Sequence, residues 1–201
     1  MLSRLKRRVE EGVAPLALAL ARRGVTPNLL TLVGLGVGLL SASLFALGEP
    51  LWGGLLLLVC GFFDLLDGAV ARRGGGETAF GGVLDSVVDR YVDFLVLLAI
   101  VWGGLAEAFG ISGLVWGGAA ILGSFMVSYV RARGEAAGTG RMEVGVAERG
   151  ERLLLLGLGS LLGFTNYAVV LVAILSHLTV LQRMAVARGR LATRRASPPA
   201  P

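Results

Sequence analysis

Charged side chains are scarce in this 201-residue chain: Asp, Glu, Lys and Arg together make up 16% of it, where a soluble domain carries about 25%. That shortage excludes an ordinary water-soluble fold. A single cysteine, Cys60, excludes an intrachain disulfide and a cysteine metal cluster, and it argues against redox chemistry. A single histidine, His177, leaves no second imidazole for a zinc site and reads as a buried, hydrogen-bonded side chain. Basic residues are missing altogether from three connections, 48–50, 104–110 and 163–165. All 19 lie on the other side of the apolar runs or at its boundary, where topology and anionic lipid account for them. The net charge of +5 therefore does not imply a nucleic-acid partner.

What fills the chain is apolar, at 55% of residues. Six runs, 29–47, 51–71, 80–103, 110–131, 151–163 and 166–187, read as spans of a bilayer, which takes about 20 residues each. The fifth is short and leans on its neighbours. The prediction is an all-α integral membrane protein with six transmembrane helices in one domain over 29–187. Within 1–28, Leu2, Leu5, Val9 and Val13 fall at helical spacing between Arg4, Lys6, Arg7 and Arg8, which predicts an amphipathic helix lying in the interface. Glu10, Glu11, Pro15, Arg22 and Arg23 argue against a cleaved signal peptide there. The tail 188–201, basic and then rich in Ala and Pro, reads as disordered.

The asymmetry of basic residues places both termini and the loops 72–79 and 132–150 in the cytoplasm, with the chain in the cell (inner) membrane. Trp52, Trp102 and Trp116 then fall near the outer boundary, as an aromatic belt does. Thirty-one glycines read mostly as positions where helix backbones touch.

Against this background five acids stand out: Asp64 and Asp67 in the second span, Asp85, Asp89 and Asp93 in the third. An unpaired Asp in mid-span costs about 2.5 to 3.5 kcal/mol, so four or five add about 10 to 17 kcal/mol that something must compensate. Asp85 and Asp89 lie about 6 and 12 Å beyond Gly81 along a helix, so the cluster starts at the cytoplasmic end and reaches inward. Spacings of three and four put each pair on one helical face. The glycine-rich connection makes the two helices antiparallel neighbours whose acidic ends face each other. Hard divalent cations such as Mg2+ or Mn2+ suit such oxygen ligands, and four carboxylates suggest two ions. Structural pairing with Arg72, Arg73 and Arg90 is the competing reading, and an Arg90–Asp93 bridge is expected. A cation or proton pathway is the rival function. Only Glu49 and Glu107 lie toward the outer side, which argues against a through path.

Read in order, the segment is D-L-L-D-G-A-V-A-R, eight residues, G, three residues, D, three residues, D. It resembles the signature of the CDP-alcohol phosphotransferase family, with Asp64, Asp67, Gly68, Ala71, Arg72, Gly81, Asp85 and Asp89 at the fixed positions. Thr26, Pro27, Asn28 and Thr31 are similar to the family's entry to the first span. The resemblance implies six transmembrane helices, a homodimer, and transfer of a phosphatidyl-type group from a CDP-linked lipid to an alcohol with release of CMP. It also implies that Asp64, Asp67, Asp85 and Asp89 hold two metal ions, with Asp89 as general base. Asn28, Gly68, Ala71, Arg72, Thr78 and Gly81 become the nucleotide-side candidates.

A second constellation, Ser128, Tyr129, Arg131, Arg133 and Glu135 followed by Glu148, Arg149, Glu151 and Arg152, fills the last cytoplasmic connection. Charge alone does not separate it from ordinary positive-inside residues. Its order is similar to that in actinobacterial and archaeal members of the family whose acceptor is myo-inositol phosphate. A phosphomonoester calls for several guanidinium groups. Ser128, Arg131, Arg149, Arg152 and Arg183 are the candidates to hold it, with Gln182 beside them. Glycerol-3-phosphate is the alternative acceptor. Lipid-facing Leu, Val and Ala encode no choice between diacylglycerol and archaeol tails.

Overall fold

The structure is a computed structural model that describes residues 2–196. Among the described residues there are seven helices and no strand: α1 Leu2–Arg22, α2 Pro27–Ala46, α3 Pro50–Gly74, α4 Ala79–Trp102, α5 Gly113–Ala136, α6 Arg149–Leu161 and α7 Thr165–Ala196.

Local chemistry sets most of the helix starts. Thr26 is extended, and its Oγ1 accepts the Leu29 amide at 3.3 Å, while Pro27 supplies the φ suited to a first helical residue. Thr78 caps α4 in the same way, its Oγ1 accepting the Gly81 amide at 2.9 Å. Ser112 does so for α5. At α6, Glu151 Oε2 accepts the Glu148 amide at 2.7 Å, a capping contact made by the third residue of the helix. Gly75 closes α3 with φ +68°, a conformation an L side chain resists.

The helices pack as α2 on α3 and α4, α3 on α6, α5 on α7 and α4, and α6 on α7, with α1 against α3. Phe45, Leu57, Val92, Val96, Ile100, Val169 and Val172 form the centre. Glycines let backbones close up. A Cβ at Gly54 of α3 would lie 2.7 Å from Ser160 Cβ and 2.9 Å from the Gly157 carbonyl of α6. Leu40, Leu51, Leu98, Leu122, Leu154 and Leu171 point outward instead, an apolar exterior that suits lipid rather than water.

Four helices, α2, α3, α5 and α7, are long and apolar enough to cross a membrane. α4 carries Asp85, Asp89, Arg90 and Asp93, and α6 has 13 residues, about 20 Å of helix. The N-terminal segment is helical as expected. Its Ala14 and Ala17 are buried, and Ala17 packs with Leu66, Ala69 and Val70 of α3. The tail departs from expectation: α7 continues through Arg188 to Ala196, so most of 188–201 is helix rather than disordered chain, and 197–201 lie outside the described residues. Arg190 Nη1 donates to the carbonyls of Thr139 and Arg141, at 3.3 and 2.8 Å, which gives that extension a partner. His177 is hydrogen-bonded but not buried; its Nδ1 lies 3.1 Å from the Ala173 carbonyl on an exposed face.

Filling the α3–α6 crossing should destabilise the bundle. Gly54→Leu is expected to cost about 1–3 kcal/mol as an overpacked position, read as a lower Tm in detergent by near-ultraviolet circular dichroism. An unchanged Tm would mean that the two backbones are not held at this distance.

Candidate active site

α3 and α4 run antiparallel, and their ends beside the 75–78 turn bring the acids together. One oxygen from each of Asp64, Asp67 and Asp85 lies within 4.8 Å of the others. Asp67 is buried, and its Oδ2 accepts a hydrogen bond from Thr31 Oγ1 of α2 at 2.8 Å. Oδ1 of Asp85 is buried with no hydrogen-bond partner. A buried carboxylate oxygen left without a donor is costly, and a hard cation held by all three residues would satisfy it. The all-oxygen donor set fits Mg2+ or Mn2+. These acids, with Thr31, Gly34, Cys60, Val88, Asp89, Val92 and Arg149, line a cavity of about 10 Å3.

Asp89 lines the same cavity but stands beside the trio. Its Oδ1 is 2.9 Å from Arg149 Nη1, and its Oδ2 accepts from Arg90 Nη1 at 3.3 Å. Arg149 Nη1 is also 2.7 Å from Asp64 Oδ1, and Nε is 3.5 Å from Asp93 Oδ1. Arg149, a candidate for the acceptor's phosphate in the sequence, thus sits among the acids.

One further expectation is corrected by packing. Asp93 pairs with Arg152, not Arg90: Arg152 Nη2 donates to Asp93 Oδ2 at 2.6 Å and Nη1 to the Ala147 carbonyl at 2.9 Å. Arg152 is 3% exposed, so its guanidinium is paired within the interior. Arg183 is 2% exposed, and its Nε and Nη1 donate to the Val144 and Val127 carbonyls, both at 2.7 Å. It braces the 137–148 loop against α5 and α7, with Nη2 3.6 Å from Glu148 Oε1. Thr179 assists from α7, its Oγ1 accepting the Val146 and Ala147 amides.

Arg131 is partly exposed, with Nε 3.2 Å from Glu135 Oε1. Ser128, one turn earlier, donates to the Ser124 carbonyl at 3.4 Å. On the nucleotide side, Asn28, Thr78 and Gly81 meet: a Cβ at Gly81 would lie 2.9 Å from Thr78 Oγ1 and 3.0 Å from Asn28 Oδ1. A Cβ at Gly68 would lie 3.1 Å from Arg72 Nη1, so that guanidinium lies over a glycine, with Ala71 adjacent in α3.

Thr31 and Cys60 are the residues that sequence reasoning left without a role. Thr31 is a polar residue inside an apolar helix, a signal that could have found it. Cys60 lies one turn before Asp64, with Sγ 3.3 Å from the Gly34 carbonyl, and spacing alone hints at its place in the cavity.

An all-helical bundle that gathers carboxylates beside a buried, unpartnered oxygen, with glycines and cations near the ends of α3 and α4, fits a metal-dependent enzyme that acts on phosphate groups. Residues 24–181 match the CDP-alcohol phosphatidyltransferase family, and the chain belongs to that family. It is 41% identical to the archaetidylinositol phosphate synthase of Pyrococcus horikoshii over 95% of this chain and 98% of that one. It is 38% identical to the phosphatidylinositol phosphate synthase of Mycobacteroides abscessus, covering 87% of this chain and 82% of that one. Among solved structures, Mycobacterium tuberculosis phosphatidylinositol phosphate synthase in complex with manganese and citrate matches with TM-score 0.76 and 31% identity, over 87% of this chain and 88% of that one. The same enzyme with CDP-DAG bound matches with TM-score 0.74 and 32% identity, over 87% of this chain and 92% of that one.

Thr31→Val removes the donor that orients Asp67. It is expected to weaken Mn2+ binding about 10- to 100-fold, as loss of an outer-shell partner does, measured by electron paramagnetic resonance of free Mn2+. Wild-type affinity would show that Asp67 needs no such orientation.

Proposed function

We propose that this membrane-embedded enzyme transfers a phosphatidyl-type group from CDP-diacylglycerol or CDP-archaeol to myo-inositol phosphate, with release of CMP. The observation that carries the reading is the Asp64, Asp67 and Asp85 trio with its unsatisfied Asp85 oxygen, set in the family's spacing. The relatives' inositol phosphate chemistry supports the acceptor, as does the arginine order around the 137–148 loop. In this reading α4 and α6 cross with the other four helices, and α1 lies in the interface. The site opens to the cytoplasm and the enzyme acts as a homodimer. Basic residues gathered on one side and the apolar exterior support that placement.

Asp64, Asp67, Asp85 and Asp89 would hold two Mg2+ or Mn2+ ions, which would supply charge neutralisation at the diphosphate and at the departing CMP. The chain's own residues do the rest. Gly68 and Gly81 present no side chain, so a nucleotide can lie against the ends of α3 and α4, with Arg72, Asn28 and Thr78 near its phosphates and base. Asp89 accepts the proton of the acceptor hydroxyl as that oxygen bonds to the lipid-linked phosphorus. The bond from that phosphorus to the bridging oxygen breaks, and CMP leaves with its electron pair. Arg131, the partly exposed member of the arginine set, faces the acceptor's phosphate, while Arg152 and Arg183 hold the wall behind it.

CMP release in proteoliposomes tests the reading. Either CDP-lipid with myo-inositol phosphate should yield CMP, free inositol should not, and EDTA should abolish release until Mg2+ or Mn2+ is restored. Release with glycerol-3-phosphate alone would transfer the enzyme to that acceptor, and full activity after exhaustive chelation would remove the metals.

The arginines should separate by role. Arg131→Ala is expected to raise KM for inositol phosphate about tenfold and to leave KM for the CDP-lipid unchanged, the loss of one charge-assisted hydrogen bond. Arg152→Ala leaves Asp93 buried and unpaired, so it should lower stability by about 3–5 kcal/mol. Steady-state kinetics with each substrate varied and denaturant unfolding would check both. A purely kinetic Arg152→Ala effect would contradict its structural assignment.

A further inference from the structure

Arg149 is held unlike the arginine one turn after it. Arg152 donates two well-formed hydrogen bonds, one to a carboxylate and one to a carbonyl. Arg149 instead has Nη1 2.7 Å from Asp64 of α3 and 2.9 Å from Asp89 of α4, yet neither its Nη1 nor its Nε is aligned for a hydrogen bond. It is held by charge. It is also the first residue of α6, directly after the 137–148 loop.

Asp64 lies in the trio that fits a divalent ion, and Asp89 lines the same cavity of about 10 Å3. A guanidinium at ion-pair distance and a divalent cation cannot share those oxygens without strong like-charge repulsion. We propose that Arg149 is an internal counter-cation that metal ions displace from Asp64 and Asp89, and that the displaced guanidinium then takes the phosphate of the acceptor. One side chain thereby couples metal loading to acceptor binding, so that the acceptor binds firmly only to the metal-loaded enzyme. Displacement also releases Asp89 Oδ1 from Arg149. The acceptor half rests on the function proposed above, whereas the displacement half does not.

Linkage makes the coupling reciprocal: the factor by which metal tightens phosphate binding must equal the factor by which phosphate tightens metal binding. The test uses the full chain in nanodiscs, with no CDP-lipid present. Mn2+ binding is followed by electron paramagnetic resonance, and myo-inositol phosphate binding by calorimetry with and without Mn2+. In the wild type each ligand should tighten the other at least tenfold. Arg149→Gln should tighten Mn2+ binding at least tenfold in the absence of acceptor and reduce the coupling to less than twofold. Arg131→Gln, which removes a charge not in contact with these acids, should leave Mn2+ affinity within twofold.

Unchanged or weaker Mn2+ binding in Arg149→Gln overturns the counter-cation. Equal inositol phosphate binding with and without Mn2+ in the wild type overturns the coupling, and that measurement holds even if the substitution harms folding. Tighter Mn2+ binding in Arg149→Gln, together with no inositol phosphate binding by the wild type, supports the displacement and sinks the acceptor.

Discussion

The organising constraint is the mutual repulsion of carboxylates brought together inside an apolar bundle. Asp64, Asp67, Asp85, Asp89 and Asp93 converge from two helices into surroundings that solvate charge poorly, and each must find a positive or hydrogen-bonding partner. The surrounding structure supplies those partners from every side. Thr31 of α2 donates to Asp67, Arg90 pairs with Asp89 from within α4, and Arg149 and Arg152 reach Asp64, Asp89 and Asp93 from α6. Among the described residues Asp85 Oδ1 is buried with no hydrogen-bond partner, which fits a divalent cation held by these acids.

That demand explains why a 13-residue helix matters so much. α6 is fixed against α3 by the contact of Gly54 with Gly157, and its first turn delivers both arginines to the acids. The loop before it is held by Thr179 and Arg183 of α7, and the Ala147 carbonyl in that loop accepts from Arg152. A chain of contacts therefore runs from α7 through the loop and α6 to Asp93. Arginines that look alike in the sequence divide into braces buried at 2–3% exposure and a pair, Arg131 and Arg149, that keep some exposure beside acidic partners.

The same balance shapes the membrane reading. α4 departs from an ordinary apolar span because it carries the charges of the site, and α6 because it has only 13 residues. Both depart from the pattern of an ordinary span at the places where function draws on them. The glycines serve two ends: Gly54 and Gly157 let helices touch, whereas Gly68 and Gly81 let the side chains of Arg72, Thr78 and Asn28 lie close to the helix backbones.

The sequence by itself determined the apolar helices and the faces that carry Asp64 with Asp67 and Asp85 with Asp89. These are local properties: spacings of three and four on a helix need no information about neighbours. The family could be recognised for the same reason, since its signature lies within two adjacent helices. Tertiary structure alone decided which arginine meets which acid, why Asp93 pairs with Arg152 rather than nearby Arg90, and why Arg183 turns inward. It also decided that α7 continues past Arg188, where Arg190 finds the carbonyls of the 137–148 loop. Those outcomes depend on distances between residues far apart in the chain, and such distances are set by how helices close on one another, which composition and periodicity do not encode.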